Sequence, residues 1–335
     1  MQRIEYTNIH AEAWDTFVLK ESRNGTIFHE RNFLSYHPSD KFIDKSLLFT
    51  EGDQITGVFP AVLQEGNILC SHPGSSAGGL IFTQKAGLRE VLEMLDSIIE
   101  YATQNNYSSI DIRLAENIFA WPVCDEINFA LWHRGFHLKA REISSCIPLQ
   151  GEYIWQDWGR KKNIFDIRKC IKEGYTVQNV SDTGLSWDII NANLNTKYQK
   201  TPTHSREELI EIKNKYPDRV DAWICYGPDG NSVGTVVCFR ASAFAIHDFY
   251  IAQDYQKVKL NLLPFVFHEI LTFYKNEGYL WFNFGISSRG DLIKWGILEF
   301  KERIGGRAIN RDRWVLDTPE KTWAEISTPE SKRDE

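Results

Sequence analysis

The sequence predicts an α/β protein of the α+β kind, made of two successive units, each a mixed but mainly antiparallel sheet flanked by helices. Three observations carry this reading. The chain has 335 residues, more than one hydrophobic core usually serves, so two domains of about 150 residues each are expected. Apolar runs of strand length alternate along the whole chain with runs of helical spacing. The order helix, helix, hairpin, strand, helix, strand, helix, strand describes both halves loosely, as a duplicated unit would, although no side-chain identity between the halves is visible.

In the first half, Trp14 to Val18 begins a short helix, Asn24-Gly25 turns into a small extended piece, and a helix over 31–36 follows. Lys45 to Thr50 and Gln54 to Leu63 read as two strands joined by Glu51-Gly52-Asp53, a hairpin turn. Asn67 to Cys70 and Leu80 to Phe82 are strands around the loop Ser71 to Gly79, rich in glycine and serine. That loop could hold an anion on backbone N–H groups or could simply connect, and the residues favour neither. Leu88, Val91, Leu92, Leu95, Ile98, Ile99 and Ala102 fall at helical spacing within 87–105. A strand at Ser109 to Arg113, a helix around Phe129 to His133 and a strand from Ile143 to Leu149 complete the half.

The second half opens on a basic helix, Trp158 to Ile171, with Arg160, Lys161, Lys162, Arg168, Lys169 and Lys172, closed by Gly174. Its charges serve an anionic ligand or only keep a surface helix soluble. Tyr175 to Val180 is a strand, Ser186 to Tyr198 a helix, and Ser205 with Glu208 forms a capping box for a helix over Glu207 to Lys215. Val220 to Tyr226 and Ser232 to Arg240 make a hairpin about Gly227-Pro228-Asp229-Gly230, and Ala243 to Ala252 is the next strand. A helix from Leu260 to Asn276 carries Pro264 in its first turn, where the missing N–H costs little. The aromatic strand Tyr279 to Phe284 breaks at Gly285, Ser287-Ser288 either donate to a bound carbonyl or phosphate oxygen or cap a helix over 291–303, and Gly305-Gly306 stops that helix before a final strand around Trp314 to Leu316. The division expected is 1–150 for the first domain, 151–325 for the second and 326–335 for a polar tail.

Composition narrows the function. The net charge is −7 and the isoelectric point is near 5.8, so no broad basic surface for DNA is expected, and a small anionic ligand in a local pocket is. The first residues lack the order of a signal peptide, and no apolar run reaches membrane-spanning length, which predicts a cytoplasmic protein. Cys70, Cys124, Cys146, Cys170, Cys225 and Cys238 are scattered, without zinc spacing, and read as buried reduced thiols. No metal is expected.

The doubled order, with Arg160-Lys161-Lys162 leading to Ile167-Arg168-Lys169, Asn283-Phe284-Gly285 at a strand end, and Phe300-Lys301 followed by Gly305-Gly306, resembles the tandem-domain GNAT-like acyltransferases. These include the Fem-type peptidoglycan bridge aminoacyltransferases and shorter acetyltransferases associated with cell-surface polysaccharide synthesis. The resemblance spans nearly the whole chain and rests on diffuse phrases. It implies two GNAT-like sheets, with the acyl donor in the second domain where its fourth and fifth strands splay, here Ala243 to Ala252 and Tyr279 to Phe284. Two departures stand out. The loop Gln253 to Lys259 has none of the glycines that hold the coenzyme A pyrophosphate in single-domain GNAT enzymes, although Lys257 and Lys259, at a helix start, could neutralise phosphates. No stretch sustains the coiled-coil arm of some Fem-type enzymes.

Acyl transfer to an amine needs a proton acceptor and donors for the oxyanion. His247, Asp248 and His204 are the candidates for the first role. On an unbroken strand His247 is in phase with Phe249 and Ile251, and Asp248 with Ile246 and Tyr250. His247 can equally be a core histidine bonded to a carbonyl, and His204 a helix-cap neighbour. Ser205, Tyr250, Asn283, Gly285, Ser287 and Ser288 are candidate substrate-binding residues. Lys301 matches the lysine of the family's Phe-Lys phrase, which the resemblance places against donor or acceptor phosphates; spacing alone makes it a solvated cation.

The expected protein is therefore an acyltransferase moving an acetyl or similar group from acetyl-CoA or another acyl-CoA to an amine of a sugar nucleotide or envelope-glycan precursor. One alternative is an aminoacyltransferase using aminoacyl-tRNA, which is the only setting in which tRNA is a partner; another is a non-catalytic protein that binds glycan precursor or a partner. Peripheral membrane association is compatible with either, and the oligomeric state is not readable.

Overall fold

The computed structural model describes residues 1–38, 40–151 and 161–318. The expected helix start at Trp158 to Arg160 and the expected tail at 326–335 lie outside the described residues. The chain divides into two compact units, one formed by Met1–Asn117, Pro122–Ala140 and the chain from Asp312, the other by Ile118–Trp121 and Arg141–Arg311.

In the first unit β1 (Gln2–Glu5), β3 (Leu47–Glu51), β4 (Gln54–Phe59) and β7 (Ile81–Phe82) form an antiparallel sheet in the order β1-β3-β4-β7. Trp14 of helix α1 (Ala11–Thr16) packs with Phe17 and Val18 on Leu48, Val58 and Ile81 of that sheet. A second sheet joins β2 (Ile43–Asp44), β5 (Ala61–Gln64), β6 (Ile68–Ser71) and β8 (Ser109–Arg113). Helix α2 (Arg31–Leu34) is short, α3 (Leu88–Gln104) buries Val91, Leu95, Ile98, Ile99 and Ala102 of the predicted stripe while Leu92 is half-buried and Leu88 exposed, and α4 is Glu126–His133. The run Gln54 to Leu63, expected as one strand, is two strands in different sheets, because Pro60 between them has no N–H to give a ladder.

Two long strands, β9 (His137–Pro148) and β17 (Arg307–Asp317), run through the division between the units. The last strand was expected to close the second half. Its residues Arg313 to Asp317 instead pair antiparallel with Arg113 to Ser109 in the first unit. Arg313 Nε and Nη2 reach the two oxygens of Asp111 at 2.8 and 2.5 Å, a charge-assisted tie that fixes this register.

The second unit contains α5 (Lys161–Glu173), β10 (Thr176–Val180), α6 (Thr183–Tyr198), α7 (Arg206–Lys215), β11 (Val220–Tyr226), β12 (Ser232–Arg240), β13 (Ala245–Gln253), α8 (Leu263–Asn276), β14 (Trp281–Ile286), the two-residue strands β15 (Ser288–Arg289) and β16 (Leu292–Ile293), and α9 (Trp295–Arg303). Its sheet runs β10-β11-β12-β13-β14-β9, antiparallel except for the parallel pair β13·β14, which α8 connects. Phe265, Val266, Phe267, Ile270, Leu271 and Tyr274 of α8 fill a core with Val236, Cys238, Ile246, Phe282 and Phe284, and Cys170 of α5 joins it. Alternate residues of β12 point the other way, and there Thr235 Oγ1 donates to Ser186 Oγ of α6 at 2.9 Å. One face of the sheet thus meets α5 and α8, the other α6 and α7.

Ser287 and Ser288 do not cap a helix. Ser288–Arg289 and Leu292–Ile293 form a small hairpin, and α9 begins only at Trp295. All six cysteines are buried and none is in a disulfide among the described residues, and burial pushes the thiols of Cys70, Cys124, Cys170 and Cys225 up to about 12. They are inert, as expected of packed thiols.

Candidate active site

The parallel pair β13·β14 makes only three rungs, Ala245↔Trp281, Ile246↔Phe282 and His247↔Asn283. Beyond them β13 continues to Gln253 and β14 to Ile286 with no rung between them among the described residues. Two local features part the strands. β14 has an irregularity between Asn283 and Ile286 in its pairing with β9, and Gly285 sits there at φ +70°, a conformation that glycine reaches without steric cost. β13 has a bulge of its own, since Val237 pairs with Tyr250 and the adjacent Cys238 with Asp248, leaving Phe249 as the extra residue.

The bulge changes the phase read from the sequence. Asp248 stays with Ile246 on the α8 face, but Ile251 joins that face too and packs on its core, while Tyr250 moves to the face of His247. The consequence is two sets of polar groups. On the α6–α7 face, Tyr250 Oη accepts from the His204 N–H at 3.2 Å and lies 3.0 Å from His204 Nδ1. The His204 ring packs on Phe249 at 5.3 Å, and the His247 ring meets Phe249 at 6.3 Å and Phe119 at 6.1 Å. His247 is also the wall beside the bend: a Cβ built on Gly285 would lie 3.4 Å from His247 Cε1.

On the other face are Asp248 and Lys301. Lys301 is only 3% exposed, so it is not the solvated cation that spacing suggests. Its Nζ donates to the carbonyls of Gly285 at 2.7 Å and Ile286 at 2.9 Å, gripping the bent end of β14. The Gly305-Gly306 stop explains its placement. Gly305 takes φ +106°, Gly306 N–H donates to the Lys301 carbonyl at 2.8 Å, and the lysine is thereby fixed in the last turn of α9, where the helix dipole favours a cation. Asp248 is 5% exposed. Burial pushes its carboxyl well above the ordinary carboxylate range, and the nearby Lys301 ammonium pulls it part of the way back. Asp248 Oδ1 and Ser287 Oγ are buried with no hydrogen-bond partner among the described residues.

Other candidates have architectural work. Asn283 Oδ1 accepts from Ser144 Oγ and from the Gly285 N–H, both at 2.8 Å, so this side chain shapes the bend. Ser288 Oγ accepts from the Ile143 N–H at 2.9 Å. Ser205 caps α7, accepting from Glu208 N–H at 3.1 Å while Glu208 Oε2 accepts from Ser205 N–H at 2.7 Å. Lys257 and Lys259 do not sit at a helix start; they lie in a turn before Leu263, Lys257 Nζ 3.6 Å from the Asp254 carboxylate and Lys259 Nζ donating to the Tyr255 carbonyl at 3.1 Å.

Sequence reasoning missed Gln253. Nearly fully buried, it donates from Nε2 to the Leu260 carbonyl at 2.6 Å and accepts from the Leu262 N–H at 3.0 Å, so one side chain fixes the loop that the absent glycines would have shaped. A cavity of about 450 Å³ opens beside it, lined by Asn193, Thr196, Lys197, Asp254, Tyr255 and Gln256 among others. Among the described residues no group of three or more His, Cys, Asp or Glu could hold a metal, and no helix is long and apolar enough to cross a membrane.

No protein-family model matches the chain, and no curated protein matches it in sequence. Solved structures do match in fold. The crystal structure of FemX is similar with a TM-score of 0.70 at 11% identity, over 95% of this chain and 97% of that one. L-PGS from Bacillus licheniformis matches with a TM-score of 0.57 at 12% identity, over 84% of this chain and 86% of that one. A tandem GNAT protein from the clavulanic acid biosynthesis pathway matches with 0.52 at 8% identity, over 96% of this chain and 99% of that one. With its sheets flanked by helices, and the sheet of the second unit parted beside a bulged strand, this chain has the tandem GNAT-like, Fem-type fold.

Proposed function

We propose that the protein is an acyltransferase, and that the gap between β13 and β14 receives the activated carbonyl of the donor. The observation that carries this reading is the loss of ladder between β13 and β14 after His247↔Asn283, beside a buried carboxyl whose Oδ1 has no hydrogen-bond partner among the described residues. Backbone N–H groups where the strands part can receive the oxyanion that forms when an amine adds to the carbonyl. The amine must be neutral to attack. Asp248 in its ionised form, or His247 on the opposite face, can take its proton; the new N–C bond forms on addition, the carrier bond breaks as the oxyanion collapses, and the carrier leaves with the second amine proton.

The leading donor is an acyl-CoA and the leading acceptor an amine of a sugar nucleotide or envelope-glycan precursor. The cavity beside Gln253 supports a carrier head group at the end of β13. From there to Asp248 the strand spans about 17 Å, a path suited to a long thin carrier arm. A second reading, transfer from an aminoacyl-tRNA, draws on the glycine-free loop at 253–259 and on Lys257 and Lys259, which are already held by Asp254 and by backbone carbonyls.

Calorimetric titration with acetyl-CoA tests the donor. The leading reading expects binding heat and a melting shift that grows with ligand, about 2.7 kcal/mol of stabilisation at a hundredfold excess over the dissociation constant. Binding of aminoacyl-tRNA without acetyl-CoA binding moves the reaction to the second reading; binding of neither counts against transfer altogether.

A further inference from the structure

The outward face of α5 is not used by the transfer site. Its inward stripe is well anchored: Cys170 and Ile167 join the core under α8, Asn163 Nδ2 donates to the Arg303 carbonyl at 2.6 Å, and Asn261 Nδ2 donates to Asp166 Oδ2 at 3.3 Å. Opposite that stripe Phe165 is 63% exposed, and Ile164 and Ile171 are 36% and 59% exposed. At about 100° per residue, Lys162, Arg168, Lys169 and Lys172 all project within roughly 60° of Phe165, and the two isoleucines lie along one flank. These four cations are exposed; Lys169 also reaches Glu173 at 3.7 Å.

A helix needing only solubility would not centre its solvent face on a phenylalanine. We propose that this face docks the protein on an anionic membrane surface, Phe165, Ile164 and Ile171 entering the headgroup boundary while the four cations meet lipid phosphates. Charge complementarity fixes the partner's sign: the chain carries −7 overall, yet this face is basic, so the attraction is local and specific to anionic surfaces. The apolar residues fix its kind. A phenylalanine can stack on a nucleic-acid base, but two exposed isoleucines have no partner along a phosphate backbone and gain by leaving water at a bilayer. Docking is independent of the transfer reaction and is read without turnover.

Co-sedimentation of the full chain with vesicles of phosphatidylcholine alone, and of phosphatidylcholine mixed equally with phosphatidylglycerol, tests it. The protein should bind the mixed vesicles, bind the neutral ones far less, and be released by salt. Arg168→Gln and Lys172→Gln should each weaken binding about five-fold, and Phe165→Ser by about ten-fold or more, with melting temperatures unchanged because all three side chains are exposed. Lys139→Gln, an exposed cation in the first unit, should leave binding as it was. No sedimentation with mixed vesicles, equal binding to both kinds, or indifference to Phe165→Ser overturns the proposal. So does binding of bulk tRNA that depends on Phe165 in a protein that ignores vesicles.

Discussion

Replacing Lys301 with methionine should cost about 3 kcal/mol of stability and abolish turnover at the same time. The ammonium is buried and donates to two carbonyls at the bend of β14, and a hydrogen bond to a charged group contributes roughly 1.5–3 kcal/mol net. Methionine fills similar space but leaves both carbonyls without this donor and Asp248 without its nearby cation. The bend at Gly285 would then relax toward β13 and close the gap proposed to receive the donor carbonyl. Urea unfolding measures the first effect and a transfer assay the second. A fully stable Lys301→Met protein would mean that the bend is held by something other than this lysine.

Asp248→Asn separates chemistry from folding. If the ionised form of this carboxyl accepts the ammonium proton, turnover should rise with pH in the native protein and fall by about 10²–10⁴-fold in Asp248→Asn, because an amide cannot take a proton at neutral pH. Stability should move the other way. Burial raises the carboxyl in the folded protein, so above the ordinary carboxylate range the native state holds a proton that the unfolded chain has released. Native proton binding then exceeds unfolded binding, and stability falls as pH rises from that range through the raised native value. The amide has no such loss. Melting curves of the two proteins should therefore lie closest in acid and separate as pH rises, with the substituted protein the more stable at neutral pH. Normal turnover in Asp248→Asn would reassign the proton to His247 or to the acceptor itself.

The sequence carried the architecture because the architecture is local pattern. The stripe of α3 from Val91 to Ala102, the capping box of Ser205 and Glu208, Pro264 in the first turn of α8 and the Gly305-Gly306 stop each depend on residues a turn or two apart, and each is in the structure. What could not be read was set by distant partners. The extra residue at Phe249 appears only when β13 lies against β12, and it moved Tyr250 and Ile251 to faces opposite those assumed for an unbroken strand. The last strand joined the first unit through Arg313 and Asp111, about two hundred residues apart in sequence. Lys301 looked solvated because its helix is amphipathic on paper, whereas its ammonium meets carbonyls from a different strand. Asn283 and Gly285 were expected as substrate-binding residues, whereas Asn283 Oδ1 accepts from the Gly285 N–H and builds the bend, a contact that no local pattern announces.

The claim on which the rest depends is that the parted strands hold the acyl group, and a crystal structure with a stable ketone analogue of acetyl-CoA tests it most directly. Ligand density is expected to run from the cavity beside Gln253 along β13, with its carbonyl oxygen within hydrogen-bonding distance of a backbone N–H between Asp248 and Tyr250. Density for the analogue anywhere else, with β13 and β14 drawn together beyond His247 and Asn283, would contradict it.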